Sequence, residues 1–163
     1  MGFQIKALPR ENFAHLFDLS DDALAAHGAV RQKVTENPGT PCRVSLQDAE
    51  VGETVILINY EHQPANSPYR ASHAIFVREN AQQAHVDVNV VPDVIQSRLV
   101  SLRCFDHLHM MVHADVMPGD AVSSAISAAF DNAQIAYAHI HNAKPGCFAA
   151  SVHRVGEGSV SQQ

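Results

Sequence analysis

Two histidines and a cysteine near the end of the chain are the residues best suited to chemistry. The stretch A-H-I-H-N-A-K-P-G-C places His139 and His141 one residue apart, and Cys147 follows a Pro-Gly turn. On a strand the two rings share a face about 6.6 Å apart, which one metal ion can bridge. A thiolate beside a histidine base, with Asn142 orienting a partner, is instead typical of nucleophilic catalysis. The pattern therefore supports a metal site, a cysteine nucleophile or a structural hairpin.

The register of the last two predicted strands, residues 135–141 and 147–155, decides what Cys147 can do. If His141 pairs with Cys147, the thiol lies on the histidine face. If His141 pairs with Phe148, Cys147 points the other way, because a shift of one residue reverses the side chains of a strand. The sequence leaves both registers open.

A second group of polar residues follows the apolar run T-V-I-L-I-N-Y. The segment from Glu61 to Ser72 has no periodicity and contains two prolines, so it is predicted to be a loop. Loops that rigid strands anchor often carry function. Glu61 and His62 could do acid–base chemistry, and Tyr69 and Arg70 could hold an anionic or planar group. We therefore expect this loop to bind substrate.

A third stretch, L-H-M-M-V-H-A-D-V, alternates apolar and polar residues as a strand does. Its polar face carries His109 and His113, which lie about 13 Å apart at about 3.3 Å per residue, too far for one metal ion. This face, which includes Met111, is expected to meet water or a second copy of the chain in a homodimer. The other face is predicted to belong to the core and consists of Leu108, Met110, Val112, Ala114 and Val116.

Composition excludes several classes of function. The chain has 163 residues, a net charge of -6 and only three lysines, which argues against a nucleic-acid partner. A small polar or anionic ligand remains compatible, because one or two arginines suffice to bind it. The three cysteines are far apart and form no C-x-x-C motif, and no apolar run is long enough for a signal peptide or a membrane span. We expect a soluble cytoplasmic protein that does not bind membranes.

The order of predicted elements indicates an α+β fold in a single domain over residues 1–155, with 156–163 as a flexible tail. One helix is expected from Ser20 to roughly Val34, and a second from Asp120 to about Phe130. The sheet is expected to be largely antiparallel or mixed, with about seven to nine strands. The strands are predicted at 3–8, 43–46, 54–60, 74–77, 85–91, 99–105, 108–117, 135–141 and 147–155.

Three segments resemble the bacterial family called domain of unknown function 1203. They are P-C-R-V-S-L-Q-D-A-E-V-G-E at 41–53, N-Y-E-H-Q-P-A-N-S-P-Y-R at 59–70 and H-I-H-N-A-K-P-G-C-F-A-A-S-V-H-R at 139–154. The resemblance implies a bacterial, single-domain, soluble protein and carries over no established activity. The motif residues are Cys42, Arg43, Tyr60, Glu61, His62, Gln63, Pro64, Tyr69, Arg70, His139, His141, Asn142, Gly146 and Cys147.

Together these observations predict one pocket where the 61–70 loop meets the 139–147 hairpin. Our first hypothesis is an enzyme that acts on a small molecule, with Cys147 as nucleophile or redox thiol, His141 as base and Arg70 as anion anchor; His139 is included among the catalytic residues. The alternative is a non-catalytic module that binds a ligand, or a divalent metal at His139 and His141, in the same pocket.

Overall fold

The computed structural model describes residues 2–156, which form eight strands and three helices. The strands are β1 (Gly2–Lys6), β2 (Ala29–Lys33), β3 (Thr54–Gln63), β4 (Ala71–Arg78), β5 (Leu99–Phe105), β6 (Met111–Pro118), β7 (Tyr137–Asn142) and β8 (Phe148–Val155). The helices are α1 (Asp21–Ala26), α2 (Asp93–Gln96) and α3 (Val122–Phe130), with short 3₁₀ segments at Arg10–Asn12, Ala14–Asp18 and Gly119–Ala121.

The strands form two antiparallel sheets. A five-stranded sheet has the order β1-β8-β7-β5-β6, and a three-stranded sheet has the order β2-β3-β4. The predicted α+β class and antiparallel pairing are confirmed, and the strands are divided between two sheets. None of the helices within residues 2–156 has both the length and the apolar character needed to cross a membrane.

The five-stranded sheet has one apolar face and one polar face. Leu102 of β5 and Ile140 of β7 belong to the larger core cluster, together with Ile126 of α3. Because side chains alternate along a strand, His139 and His141 project from the opposite face. The predicted division of β7 into an apolar and a histidine-bearing face is therefore present.

The histidine-bearing face is also buried, because the three-stranded sheet covers it. Phe148 of β8 lies in a second apolar cluster with Ile56 of β3 and Ile75 of β4. His139 and His141 are both buried under this layer. Polar rings in such a position need hydrogen-bond or metal partners, since burying an unpaired polar group is costly.

The first helix is shorter than predicted. α1 begins after Ser20, whose hydroxyl accepts from the Ala23 N–H at 3.2 Å, and it ends at Ala26. Gly28 follows with a φ of +68°, a conformation that commonly terminates helices. The second half of the predicted helix is wrong, because residues 29–33 pair with β3 as an edge strand.

Two predicted strands are wrong because other groups satisfy their backbones. At 43–46 the chain turns, with the Leu46 N–H donating to the Cys42 carbonyl at 3.0 Å. At 85–91 the chain runs as a loop across β1, where the Gln4 side chain donates to the Val86 carbonyl at 2.8 Å. The Asn89 side chain accepts from the Phe3 N–H at 3.0 Å, and the Asn89 N–H donates to the Phe3 carbonyl at 2.9 Å. Side-chain bonds and this single backbone bond stand in place of a regular strand ladder.

The loop predicted from Glu61 to Ser72 is too long. β3 continues through Gln63, and β4 begins at Ala71. A register shift between Tyr60 and Gln63 lets the strand continue with a changed alternation, and both His62 and Gln63 are buried. Only 64–70 form the connection.

The predicted core face of β6 is wrong. Val112 and Val116 are 44% and 55% exposed, and Met117, on the other face, is buried. Val116 pairs with Ser101, so it lies on the histidine side of the sheet and not on the side of α3. Leu108 and Met110 precede the strand and are exposed as well.

A bulge also separates the residues of the predicted polar face of β6. His113 pairs with Cys104, whereas Met111 pairs with Phe105, and this shift leaves Val112 as the extra residue. Met111 and His113 therefore lie on opposite faces. His109 lies before the strand in a turn, with a φ of +63°.

Gly119 brings the end of β6 against the segment that carries α2. A Cβ atom at this position would lie 1.9 Å from the Ile95 carbonyl oxygen and 2.8 Å from the Arg98 carbonyl oxygen. The Gly119 N–H donates to that same Arg98 carbonyl at 2.7 Å. Only glycine allows this approach, which holds Arg98 in place.

We therefore expect Gly119→Ala to lower the free energy of unfolding by about 1–3 kcal/mol, because the backbone must move to admit the methyl group. Urea unfolding measures the change. Gly156→Ala is the matched control, since a Cβ there would meet no described atom within 4 Å beyond the adjacent residues. Equal stabilities of Gly119→Ala and the wild type would contradict this close packing.

Candidate functional site

The β3–β4 hairpin brings two histidines together. Tyr60 pairs with His73, and the bulge that follows turns His62 toward the same region. The His62 Nε2 and His73 Nδ1 atoms are 2.9 Å apart and share a hydrogen bond. The His62 ring also lies parallel to the Phe148 ring, with centroids 5.4 Å apart. His62 is thus held between Phe148 of the five-stranded sheet and His73 of β4.

His141 approaches this pair from the five-stranded sheet. Its Nδ1 is 2.9 Å from the Gly146 carbonyl oxygen. A carbonyl only accepts hydrogen bonds, so Nδ1 carries the proton and Nε2 of the neutral ring has a free lone pair. Within residues 2–156 this buried Nε2 has no hydrogen-bond partner.

The ring nitrogens that His62, His73 and His141 offer lie within 4.8 Å of one another, so the three side chains form a cluster that could hold a metal ion. His139 is adjacent, with its ring centroid 6.3 Å from that of His141, but it packs against Phe105 at 5.1 Å. The cluster therefore joins His141 to histidines of the other sheet.

Burial keeps these rings neutral. It lowers the pKa of His62 to about 4, and the neighbouring His73 adds to this effect. Burial likewise lowers the pKa of His139 and of His141 to about 3, although the Gly146 carbonyl opposes the shift at His141. The pKa of His73 is also lowered, by burial and then by Arg103. At neutral pH all four are unprotonated bases.

Cys147 lies in a different environment. It lines a cavity of about 790 Å³ that we call the thiol cavity. This volume falls within the range of small-molecule sites. The lining residues are Gly39, Pro41, Arg43, Leu57, His73, Ala74, Phe76, Ser97, Arg98, Leu99, Asn142, Lys144, Pro145 and Cys147.

A buried guanidinium contacts the thiol. Arg43 is only 2% exposed, and its Nη2 lies 2.9 Å from the Cys147 Sγ. Its Nε donates to the Phe148 carbonyl at 2.7 Å, and its Nη1 donates to the Pro41 carbonyl. Burial lowers the pKa of Arg43, and Cys147 opposes that shift. No carboxylate pairs with this guanidinium in the part of the chain that the structure describes.

Two further basic side chains line the thiol cavity, and one of them is paired with a carboxylate. Arg98 binds Asp48 through two hydrogen bonds of 2.6 and 3.1 Å, and Lys144 lies at the hairpin turn. Among the described residues, 2–156, no Asp or Glu side chain lines the thiol cavity. The Asn142 Nδ2 lies 3.6 Å from the Cys147 Sγ, and the buried Asn142 Oδ1 lacks a hydrogen-bond partner in the same range.

A second cavity, of about 540 Å³, lies on the other side of the histidine cluster. His62 and His139 line it, together with His109, whose Nδ1 is 2.7 Å from the Tyr137 hydroxyl. The Gln63 side chain donates to the same hydroxyl at 2.9 Å. Since His73 lines the thiol cavity, the His62–His73 pair forms a wall between the two cavities.

The structure adopts the second of the two registers considered for the last hairpin. His141 pairs with Phe148, after a bulge at Ile140. The contacts of Cys147 are accordingly Arg43 and Asn142, whereas His141 contacts the histidine cluster.

Of the loop residues expected to bind substrate, only His62 joins a buried group. Glu61 and Arg70 form an ion pair of 3.0 Å with each other at the surface. Tyr69 is partly exposed and packs edge-on against Phe105 at 6.2 Å. None of these three side chains lines the two cavities described above.

Sequence reasoning missed several residues at these sites. His73 could have been found, because a hairpin centred on the 64–70 connection places residue 73 nearly opposite residue 62. Arg43 carried a signal only as part of the P-C-R motif. Arg98 and Lys144 carried no local signal, since their position in the cavity depends on the packing of distant segments.

The fold and the site define a class: an α+β domain in which two sheets enclose a histidine cluster beside a thiol-bearing cavity. The chain belongs to the family described as Protein of unknown function (DUF1203), whose model matches residues 39–154. This range contains the whole histidine cluster and every residue that lines the thiol cavity. No curated protein and no solved structure matches the chain.

The neutral buried histidines predict a loss of stability in acid. In the unfolded chain His62, His139 and His141 take up protons as the pH falls below about 6.5. In the folded chain their pKa values are lowered to about 4 for His62 and about 3 for His139 and His141, so they stay neutral to lower pH. Between about pH 7 and about pH 5, His139 and His141 should each lower the free energy of unfolding by about 1–2 kcal/mol.

Urea unfolding with a chelator present, at both pH values, measures this loss. His139→Gln should show a smaller loss than the wild type, whereas His85→Gln, which changes an exposed histidine, should not. An unfolding free energy independent of pH over this range would contradict neutral burial.

Proposed function

We propose that this chain is an enzyme that acts on a small anionic molecule, with Cys147 as its nucleophile. The supporting observation is the contact between the Cys147 Sγ and the buried Arg43 guanidinium, 2.9 Å long, at the wall of a cavity. A thiolate is the reactive form of cysteine, and a neighbouring cation stabilises it.

The surroundings of Arg43 support this role. A buried charge without a counterion is costly, and the other acceptors of this guanidinium are neutral carbonyl groups. Among the described side chains that hydrogen-bond to Arg43, only Cys147 can become an anion. The Arg43 charge and the Cys147 thiolate therefore stabilise each other, and Arg43 supplies the activation that the sequence suggested for His141.

The charge of the cavity indicates the substrate class. Lys144 lines the space next to the thiol and has no ion pair within residues 2–156, so it provides the anion anchor that the sequence suggested for Arg70. Arg98 also lines this space, but it is paired with Asp48. Leu57, Phe76 and Leu99 supply apolar contacts. A small anion with a short carbon skeleton fits this combination, since binding sites pair apolar walls with a few oriented polar groups.

In the proposed reaction the thiolate sulfur forms a bond to an electrophilic carbon of the substrate. The electron pair of the bond that breaks leaves with the displaced group or moves onto an adjacent oxygen. The Asn142 Nδ2, 3.6 Å from the sulfur, orients it for this attack. His141 takes no part in this step, because its ring is committed to Gly146 and the histidine cluster.

Alkylation of the folded protein tests the nucleophile. Iodoacetamide should label Cys147, which is partly exposed, and should spare the buried Cys42 and Cys104. Arg43→Met should slow the labelling about tenfold, because the thiolate loses its neighbouring cation. Peptide mass spectrometry over a time course measures both effects.

Cys147→Ser and circular dichroism are the controls, since they identify the labelled site and verify that Arg43→Met is folded. Because Arg43→Met removes a buried side chain, Arg43→Lys provides a second variant that keeps the charge and should retain part of the rate. Faster labelling of Cys42 or Cys104 than of Cys147 in the folded wild type would contradict the proposal.

The charge of the cavity predicts a preference between two reagents of similar size. Iodoacetate is anionic and iodoacetamide is neutral, so Cys147 should favour iodoacetate more strongly than a free thiol in solution does. Lys144→Gln should reduce this preference about threefold, and the effect should weaken with added salt.

Lys33→Gln is the matched control, since Lys33 is exposed on β2 and does not line the thiol cavity. If Cys147 discriminates against iodoacetate as strongly as free thiols do, the cavity does not select anions.

A further inference from the structure

We propose that His62, His73 and His141 bind one late first-row divalent transition metal ion, of the zinc or nickel class, in the space between the two sheets. This site lies outside the chemistry assigned to Cys147, and it does not rest on the proposed function. It also differs from the His139–His141 pair that the sequence suggested.

The geometry carries the inference. Three ligand nitrogens from three different strands lie within 4.8 Å of one another. Nitrogens bound to one zinc ion at about 2.0–2.1 Å lie about 3.4 Å apart. To complete the site, the more distant nitrogens must therefore approach each other, and the His62–His73 pair must separate slightly. The His62 Nε2 and His73 Nδ1 are 2.9 Å apart and share a single proton. For both atoms to bind the ion, that proton moves to the other nitrogen of its own ring, so each imidazole stays neutral and presents a lone pair.

His141 is prepared for the role of ligand. Its Nδ1 donates to the Gly146 carbonyl, the type of hydrogen bond that fixes the tautomer of metal-binding histidines. The other nitrogen, Nε2, is a buried acceptor that no described hydrogen bond satisfies. An ion bound to this lone pair would remove the cost of leaving it unpaired.

The chemistry of the three imidazole ligands determines which metal ions the site prefers. A neutral imidazole is the form that binds a metal ion, and the Gly146 carbonyl fixes the neutral tautomer of His141 that presents Nε2. Imidazole ligands suit zinc, nickel and copper, and not magnesium or calcium, which prefer oxygen.

Arg103 pairs with His139 across β5 and β7 and so projects from the histidine-bearing face. Its positive charge opposes a bare dication, so a fourth ligand that is an anion is favoured. Three protein ligands also leave the fourth tetrahedral position open, as in catalytic zinc sites.

The experiment uses the full chain without an expression tag, stripped with a chelator and then dialysed against zinc chloride. We expect one zinc ion per chain by elemental analysis and a rise in Tm, because the ion binds the folded state. Cobalt chloride should give the intense visible absorption of a tetrahedral site, whereas cobalt on surface histidines remains six-coordinate and weakly coloured.

His73→Gln is the test variant, since His73 is partly exposed and its replacement leaves the apolar core intact. It should weaken zinc binding by at least about 100-fold. His85→Gln, which changes an exposed histidine outside the cluster, should bind as the wild type does.

A readout without substitution keeps the proposal testable if His73→Gln does not fold. In spectra of the imidazole nitrogens of the wild type, zinc should shift the His62, His73 and His141 signals and leave His85 unchanged. The absence of stoichiometric zinc, a folded His73→Gln with wild-type affinity, or zinc-induced shifts confined to other histidines would each overturn the inference. Alkylation of Cys147 is read separately, so the failure of one proposal is distinguishable from that of the other.

Discussion

The Arg43 residue joins the two sheets, and the rest of the site depends on it. Its backbone N–H donates to the Phe76 carbonyl of β4 at 3.1 Å, and its side chain donates to the Phe148 carbonyl of β8 at 2.7 Å. The same side chain reaches Cys147, 104 residues away in the sequence. A guanidinium buried to this degree requires its acceptors, so its hydrogen bonds hold the start of β8 against the three-stranded sheet.

The position of Phe148 then determines the histidine cluster. Phe148 packs parallel to His62, and His62 bonds to His73, so the joint between the sheets extends from Arg43 to the imidazoles. The apolar contacts of Phe148 bury the polar face of the five-stranded sheet. As a result, one interface produces two chemically distinct environments: a cationic cavity around a thiol and a neutral cluster of nitrogen ligands.

Local patterns predicted the parts of this arrangement that depend on local geometry. Strand alternation placed His139 and His141 together on one face of β7, and the structure shows that Ala138 and Ile140 on the other face belong to the core. The final hairpin also follows from its Pro-Gly turn. A helix was predicted from Asp120 to about Phe130, and α3 begins at Val122, without a side-chain cap. Pairing of the final hairpin could not be predicted, because the bulge at Ile140 shifts its register by one residue.

Long-range packing accounts for most of what the sequence did not reveal. The sequence of β6 is amphipathic, yet Val112 and Val116 are exposed. Local periodicity shows which residues share a face of the strand, but it does not show which face other elements cover. Arg43 became a site residue only through contacts with a segment more than 100 residues away. Arg70 looked like a binding residue, but Glu61, nine positions before it, is its partner.

The central claim is that folding activates the Cys147 thiol, and the most direct measurement compares its reactivity in the folded and unfolded chain. The second-order rate constant for iodoacetamide at Cys147 should be measured at neutral pH in buffer and in concentrated urea, with Cys42 and Cys104 replaced by serine or alanine. The account predicts a faster reaction in the folded chain, because the Arg43 guanidinium is within contact of the sulfur only there. A slower reaction in the folded chain would mean that Cys147 is a packed, unreactive side chain, and it would contradict the proposed enzyme.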